Sequence, residues 1–442
     1  MTSPLSAPEG EFPPEGGSGP ESGSGPGGGS APGGRRGRGE LLAFVLMLGF
    51  LCTVVAQMAV PITATLLREE RLLTSAQVGT LMSIMFFTSG PMHLVGGGLV
   101  RRYGGRLLLL GLATMLGGMV LLAVFSRYEL MLVGRAVQGI GAGVMLPVAG
   151  HLMSRHVAPG RLGRAWSIYG AGAGIGNLLV FFGLSRVASL GIAPVFWAAG
   201  GVVAVVALVS LSLREIRSAP PAGAVRCGLG RTLKDLGFDV GRLARIPSLG
   251  LIAFFSVAII SCAVGVTTWA PSFLVDTQGL SVAAAGSIVG AYAAAQFAAT
   301  FSVGLIVDRV GKTRILLAAS AGLTLALVGL AFSRTPAAGL TTILLIGFLQ
   351  MATFAPAFAL IPGLVPPESV ALGSGAVNGV GVFGALLAPW IMGIILDAGG
   401  GYRPAFLLLA GVAFVAVVLA AALVRRAGAV AEAPGPGPRG GV

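Results

Sequence analysis

The chain has 442 residues, 55% of them apolar and only 10% charged, with a mean hydropathy of +0.90. That is too little polar surface to wet a soluble globule of this size, so a soluble multidomain enzyme is excluded. Continuous apolar runs, rather than alternating positions, also exclude a β-barrel and leave a polytopic helical membrane protein. The net charge of +13 does not point to nucleic acid, because the basic residues lie between apolar runs and not along one face. Cys52, Cys227 and Cys262 show neither pairing nor metal-ligand spacing, so no disulfide, metal or cofactor is expected.

Residues 1–40 are rich in Gly, Ser and Pro and read as a disordered cytoplasmic tail, not as a signal peptide. Twelve spans are expected near 41–66, 75–100, 106–126, 130–153, 162–187, 191–213, 247–275, 281–307, 313–333, 338–362, 370–396 and 402–424. The first carries Cys52, Gln57, Ala59 and Pro61. The second carries His93 and ends in Gly97-Gly-Leu-Val-Arg101-Arg102-Tyr-Gly104-Gly-Arg106. The fourth holds Arg135-Ala-Val-Gln138-Gly-Ile-Gly-Ala, and the fifth holds Gly170, Gly172, Gly174, Gly176 and Asn177. A basic stretch, 214–246, then separates two six-span bundles, 41–213 and 247–424, and residues 425–442 form a second cytoplasmic tail. The seventh span contains Trp269 and Pro271, and the eighth contains Tyr292 and Gln296. The eighth ends in Gly304-Leu-Ile-Val-Asp308-Arg309-Val-Gly311-Lys312, a copy of the first loop displaced by 207 residues. The tenth span has Gln350 and the eleventh Asn378. Of the 29 Lys and Arg residues, 22 fall on the side of the termini, six on the other, and Arg135 lies inside a span, which makes both termini cytoplasmic.

The repeated loop, Gly-x-Leu-x-Asp-Arg-x-Gly-Arg/Lys, resembles the signature of the major facilitator superfamily. Gly304, Asp308, Arg309, Gly311 and Lys312 match in the second half; Gly97, Leu99, Arg102, Gly104 and Arg106 match in the first, where Arg101 replaces the Asp. The fourth span is similar to the family's Arg-x-x-Gln-Gly-x-Gly-Ala pattern. The resemblance implies an all-α membrane protein of twelve transmembrane helices in two pseudo-symmetric six-helix bundles, moving a solute by alternating access. It also implies that Arg135 bonds the first span and serves proton coupling; an arginine held by backbone carbonyls for structure is the alternative reading. The Asp308–Arg309 loop is the expected cytoplasmic latch.

The drug-antiporter patterns are incomplete, because Cys52 stands at the acidic position of the first span and Ile175 at the proline of the fifth. The chain is loosely similar to branches that import small anions. In the nitrate/nitrite branch the anion is held by arginines on the second and eighth spans, where His93 and Gln296 are the nearest polar groups here. Nitrate is therefore not expected. None of the 16 acidic residues falls mid-span, which leaves a cation without a counter-charge and favours an anionic or neutral organic solute. Arg135, Gln57, Gln138, Asn177, Trp269, Tyr292, Gln296, Gln350, Asn378 and His93 are the cavity candidates, though each is also suited to helix packing. Gly97, Arg101, Arg102, Gly104, Gly304, Asp308, Arg309, Gly311 and Lys312 are the gating candidates. A monomer in the plasma membrane, partnered by lipid and one solute, is expected. Efflux of amphipathic compounds by proton antiport and a non-transporting sensor are the rival readings.

Overall fold

The computed structural model describes residues 33–158, 161–217, 246–366 and 370–432. Most of the first tail, most of the 214–246 stretch and the end of the second tail lie outside the described residues. The first bundle consists of α1 (Gly33–Glu70), α2 (Ser75–Tyr103), α3 (Arg106–Val124), α4 (Tyr128–His156), α5 (Leu162–Leu178) and α6 (Ile192–Leu211). The second consists of α7 (Pro247–Gln278), α8 (Val282–Val310), α9 (Lys312–Ala331), α10 (Pro336–Phe358), α11 (Val370–Asp397) and α12 (Tyr402–Glu432). Eleven helices contain a stretch long and apolar enough to cross a membrane; α2, 29 residues ending near Arg101 and Arg102, completes the twelve. The 19 residues of α3 rise about 28 Å at 1.5 Å per residue, close to the ~30 Å hydrocarbon core. Helix α1 starts at Gly33, ahead of the apolar run at Leu41, so Glu40 is already helical.

The same helices pair in each bundle. In the first, α1 packs on α5 and α6, α2 on α4, and α3 on α4 and α6; in the second, α7 packs on α11 and α12, α8 on α10, and α9 on α10 and α12. Adding six to each label in the first list gives the second, which is the duplication written as contacts. The bundles meet through α1–α7, α2–α11 and α5–α8, a set that the same two-fold exchange maps onto itself. With twelve helices, both described chain ends and the one-turn helix Arg214–Arg217 before the bundle junction share one end of the molecule.

Lipid is as apolar as a leucine side chain, so close backbone approach has to supply the packing inside each bundle. Helix α4 achieves it with glycines. A Cβ on Gly143 would lie 2.5 Å from the Ser89 carbonyl of α2, and one on Gly141 would lie 2.9 Å from Met115 Cγ of α3. After Leu178, α5 continues as a π-helical stretch, Leu179–Leu184. The wider turn brings Phe181, Phe182 and Ser185 against α8.

Candidate functional site

Contacts between the bundles concentrate at the end remote from the termini. Arg68, at the end of α1, forms an ion pair with Asp276 at the end of α7, and Tyr402 donates its hydroxyl to the same carboxylate. One turn deeper, Thr65 Oγ1 donates to Ser272 Oγ at 3.4 Å. Asp397, the last residue of α11, accepts hydrogen bonds from Ser75 N and Ala76 N, both at 2.7 Å. These are orphan N–H groups of the first turn of α2, where the helix dipole favours an anion. The remaining cap is local: Thr74 and Gln77 exchange side-chain to backbone bonds. Ser83 donates to Leu386 O, one further link between α2 and α11.

From this seal the bundles splay. On α2, a Cβ at Gly79 would lie under 3.0 Å from the Pro389 carbonyl of α11. At Gly90 the nearest atom, of Val382, is 3.9 Å away, and at Gly97 nothing lies within 4 Å. Gly375 and Gly379, on the matching part of α11, also have nothing within 4 Å. On the other flank, Gly286 and Gly290 of α8 touch Phe181 and Phe182 of α5, whereas Gly170 and Gly174, nearer the termini, face open space. Among the described residues, the bundles touch at the far end, and no such close crossing between them is found towards the termini.

Arg135, two turns into α4 from the sealed end, is fully buried. Its Nε donates to Leu81 O (2.8 Å); Nη1 donates to Ala56 O (2.6 Å) and to Gln138 Oε1 (2.8 Å). Nη2 reaches Gln57 O at 3.5 Å. The guanidinium thus ties α4 to α1 and α2 with no carboxylate among these partners, and it lines no open space in this conformation. Gln138 is consumed by the same knot and leaves its Nε2 without a partner. The Gln57 backbone is part of the knot, but its half-buried side-chain amide makes no hydrogen bond among the described residues. Asn177 is half-buried with an unpartnered Oδ1, and Asn378 is half-buried. His93 Nδ1 is engaged by Ser89 O at 2.7 Å.

In the second bundle three of the candidates form one cluster. Tyr292 Oη donates to Gln350 Oε1 at 3.1 Å, and Gln296 Nε2 donates both to Gln350 Oε1 and to Tyr292 Oη. Tyr292 and Gln350 are buried and Gln296 is half-buried. Trp269 is elsewhere: it has no exposed surface, and its indole donates to Pro389 O at 3.1 Å, bracing α7 against α11.

At the loops of the termini end, Gly104 (φ +57°) and Gly311 (φ +93°) hold the equivalent turns in conformations that favour glycine. Gly97 and Arg102 are exposed, the latter 5.4 Å above the Tyr103 ring. Arg309 is exposed, and Lys312 Nζ donates to Ala359 O at 3.0 Å. Arg101, Gly304 and Asp308 are helical, with side-chain positions outside the described residues. Sequence reading did not single out Arg68, Ser75 or Asp276, and it gave Asp397 and Tyr402 no part in joining the bundles. The 207-residue offset carried a signal for the neighbouring Thr65–Ser272 contact, whose partners are separated by the same 207.

A family model described as Major Facilitator Superfamily matches residues 45–354 and 255–441. The chain belongs to that superfamily. A 3-(3-hydroxy-phenyl)propionate transporter of Escherichia coli is 28% identical over 364 residues, covering 79% of this chain and 87% of that protein. A probable nitrate/nitrite transporter of Mycobacterium tuberculosis is 25% identical over 363 residues, covering 80% and 89%. Among solved structures, a bacterial homologue of the lysosomal transporter Spinster, inward-facing and occupied, superposes with a TM-score of 0.74 at 15% identity, covering 90% of this chain and 98% of that one. This superfamily member is a multi-pass membrane transporter rather than an enzyme, and its relatives move small organic anions or nitrate/nitrite.

Proposed function

We propose that the protein carries a small organic carboxylate, aromatic acids foremost, across the plasma membrane by alternating access, and that the structure is its inward-facing state. The observation that carries this reading is the seal at one end together with the progressive parting of α2 from α11 towards the other. The excess of Lys and Arg on the side of the termini makes the parted end cytoplasmic. Gln57, Asn177, Gln296 and Asn378 offer neutral amides, Arg135 supplies an uncancelled positive charge behind Gln57, and no described span has a mid-depth carboxylate. Such a lining favours an anion over a cation. The aromatic preference rests on Phe50, one face of α1 with Gln57, stacked on Tyr169 at 4.8 Å, and on the E. coli relative's named solute.

The test is uptake by proteoliposomes offered labelled 3-hydroxyphenylpropionate, benzoate, nitrate, a sugar and a cationic dye. Saturable carboxylate uptake is expected. Flux of the dye alone, dependent on a pH gradient, would support efflux instead, and absence of any flux would support a sensor.

Two aspartates are proposed to hold opposite states. Asp397→Asn removes the charge from the cap on α2, weakening charge-assisted bonds worth roughly 1.5–3 kcal/mol each when intact. It is expected to raise solvent access to a cysteine placed at Thr65. Asp308→Asn, at the proposed cytoplasmic latch, is expected to lower that access. Unchanged labelling rates in both variants would remove these carboxylates from the switching mechanism.

A further inference from the structure

Between the termini ends of α1, α4 and α5 lies a cavity of about 400 Å³ walled by Ala43, Val157, Ala165 and Ile168 and rimmed by Glu40, Arg161 and Arg164. We propose that it is a shallow capture site for the carboxylate of the solute, in which Glu40 is the internal anion that the solute displaces. The proposal rests on the reading of the protein as an organic-anion carrier and adds a second binding step to it.

Both guanidiniums address the same carboxylate oxygen and neither grips it closely: Arg161 Nη1 lies 3.8 Å and Arg164 Nη1 3.3 Å from Glu40 Oε1. A guanidinium has five N–H donors in a fork that fits a carboxylate bidentately, so the pair retains unused capacity for a second anion. Two Arg against one Glu also leave a net positive charge.

The placement favours the solute path. Ala43, Phe50 and Gln57 recur every seven residues and therefore share one face of α1. Inward along that face from the arginines beside Ala43 lie the Phe50–Tyr169 stack, with Trp166 edge-on at 5.5 Å, and then the amide of Gln57. Charge, aromatic surface and amide follow in the order a carboxylate-bearing ring needs if its charged group leads. The volume lies within the ~300–1,000 Å³ of small-molecule sites.

The experiment measures initial uptake of 3-hydroxyphenylpropionate in proteoliposomes of phosphatidylcholine alone and of phosphatidylcholine with phosphatidylglycerol. The protein is oriented so that the termini end faces the labelled solute. Arg161→Gln/Arg164→Gln is expected to raise KM by roughly fivefold or more, with the maximal rate within about twofold, since charges at an entrance act mainly on capture. The KM difference should shrink as salt is added. Glu40→Gln, which frees both guanidiniums, is expected to lower KM. Wild-type uptake with unchanged KM in all variants would overturn the capture site while leaving carboxylate transport standing. An effect of the arginine variant seen only with phosphatidylglycerol would overturn it too, assigning the cavity to an anionic lipid headgroup. No uptake by the wild type of this or any carboxylate would overturn the carrier reading itself, and the capture site with it.

Discussion

Gly79→Val with Gly286→Val is expected to reduce flux about 100-fold or more while leaving each six-helix bundle folded. A Cβ at Gly79 falls within 3.0 Å of Pro389 O, and one at Gly286 lies 2.7 Å from Phe181 O. Backbone cannot retreat as a flexible side chain can, so α2 must leave α11 and α8 must leave α5. Overpacking costs roughly 1–3 kcal/mol per site in a core, and both penalties fall on the closed conformation of the far end alone. Two such penalties shift the equilibrium by roughly 1.5 to 4 orders of magnitude, at 1.4 kcal/mol per factor of ten. The separation of the Thr65–Ser272 and Asp397–Ser75 contacts should follow. The measurements are solute flux and labelling of a cysteine at Thr65. Gly201→Ala, on α6 with nothing within 4 Å, is the control and should retain wild-type flux. Normal flux in the double variant would mean that this closure is not visited during transport.

Arg135→Ala is the second large effect. The guanidinium makes hydrogen bonds to two carbonyls and one amide within 2.8 Å, from three helices. Hydrogen bonds involving a charged group contribute roughly 1.5–3 kcal/mol each. Removing them frees the α1 backbone at Ala56 and Gln57 and removes the charge behind the Gln57 amide. Flux should fall by about 100-fold or more while membrane insertion and monodispersity survive. Arg135→Lys keeps the charge but replaces a planar fork with a point donor that cannot span α1 and α2 together. It should recover only a minor part of the flux. Full activity in Arg135→Lys would show that charge alone matters; full activity in Arg135→Ala would remove the knot from the mechanism.

The spans were legible because twenty apolar residues in a row have few alternatives, and the duplication was legible in Gly97/Gly304 and Gly104/Gly311. The same 207-residue step reaches further than the loops. Gly79 and Gly286 are separated by it and sit at equivalent crossings, and Thr65 and Ser272 meet each other because positions beside a two-fold axis contact their own repeats. Which way each helix faces was not legible. In lipid the outer surface is as apolar as the core, so no amphipathic stripe marks the inward side. Trp269 could therefore be read as a cavity wall, although it turns to Pro389, and Arg135 as a cavity group, although it is enclosed. Gln296 and Gln350 gave no sign of their pairing, because α8 and α10 are brought together only by tertiary packing. The role of Asp397 was not legible for a related reason: its partners are backbone N–H groups more than 300 residues away, which carry no side-chain signature.

The most direct test of rocking bundles is a pair of spin–spin distance measurements made before and after adding a transported carboxylate. One pair of labels spans α2 and α11 at the sealed end, and the other spans the same helices near the termini. Alternating access predicts that populations move in opposite senses, the first distance lengthening as the second shortens. Both distances staying fixed, or both moving in the same sense, while the solute crosses the membrane would contradict it.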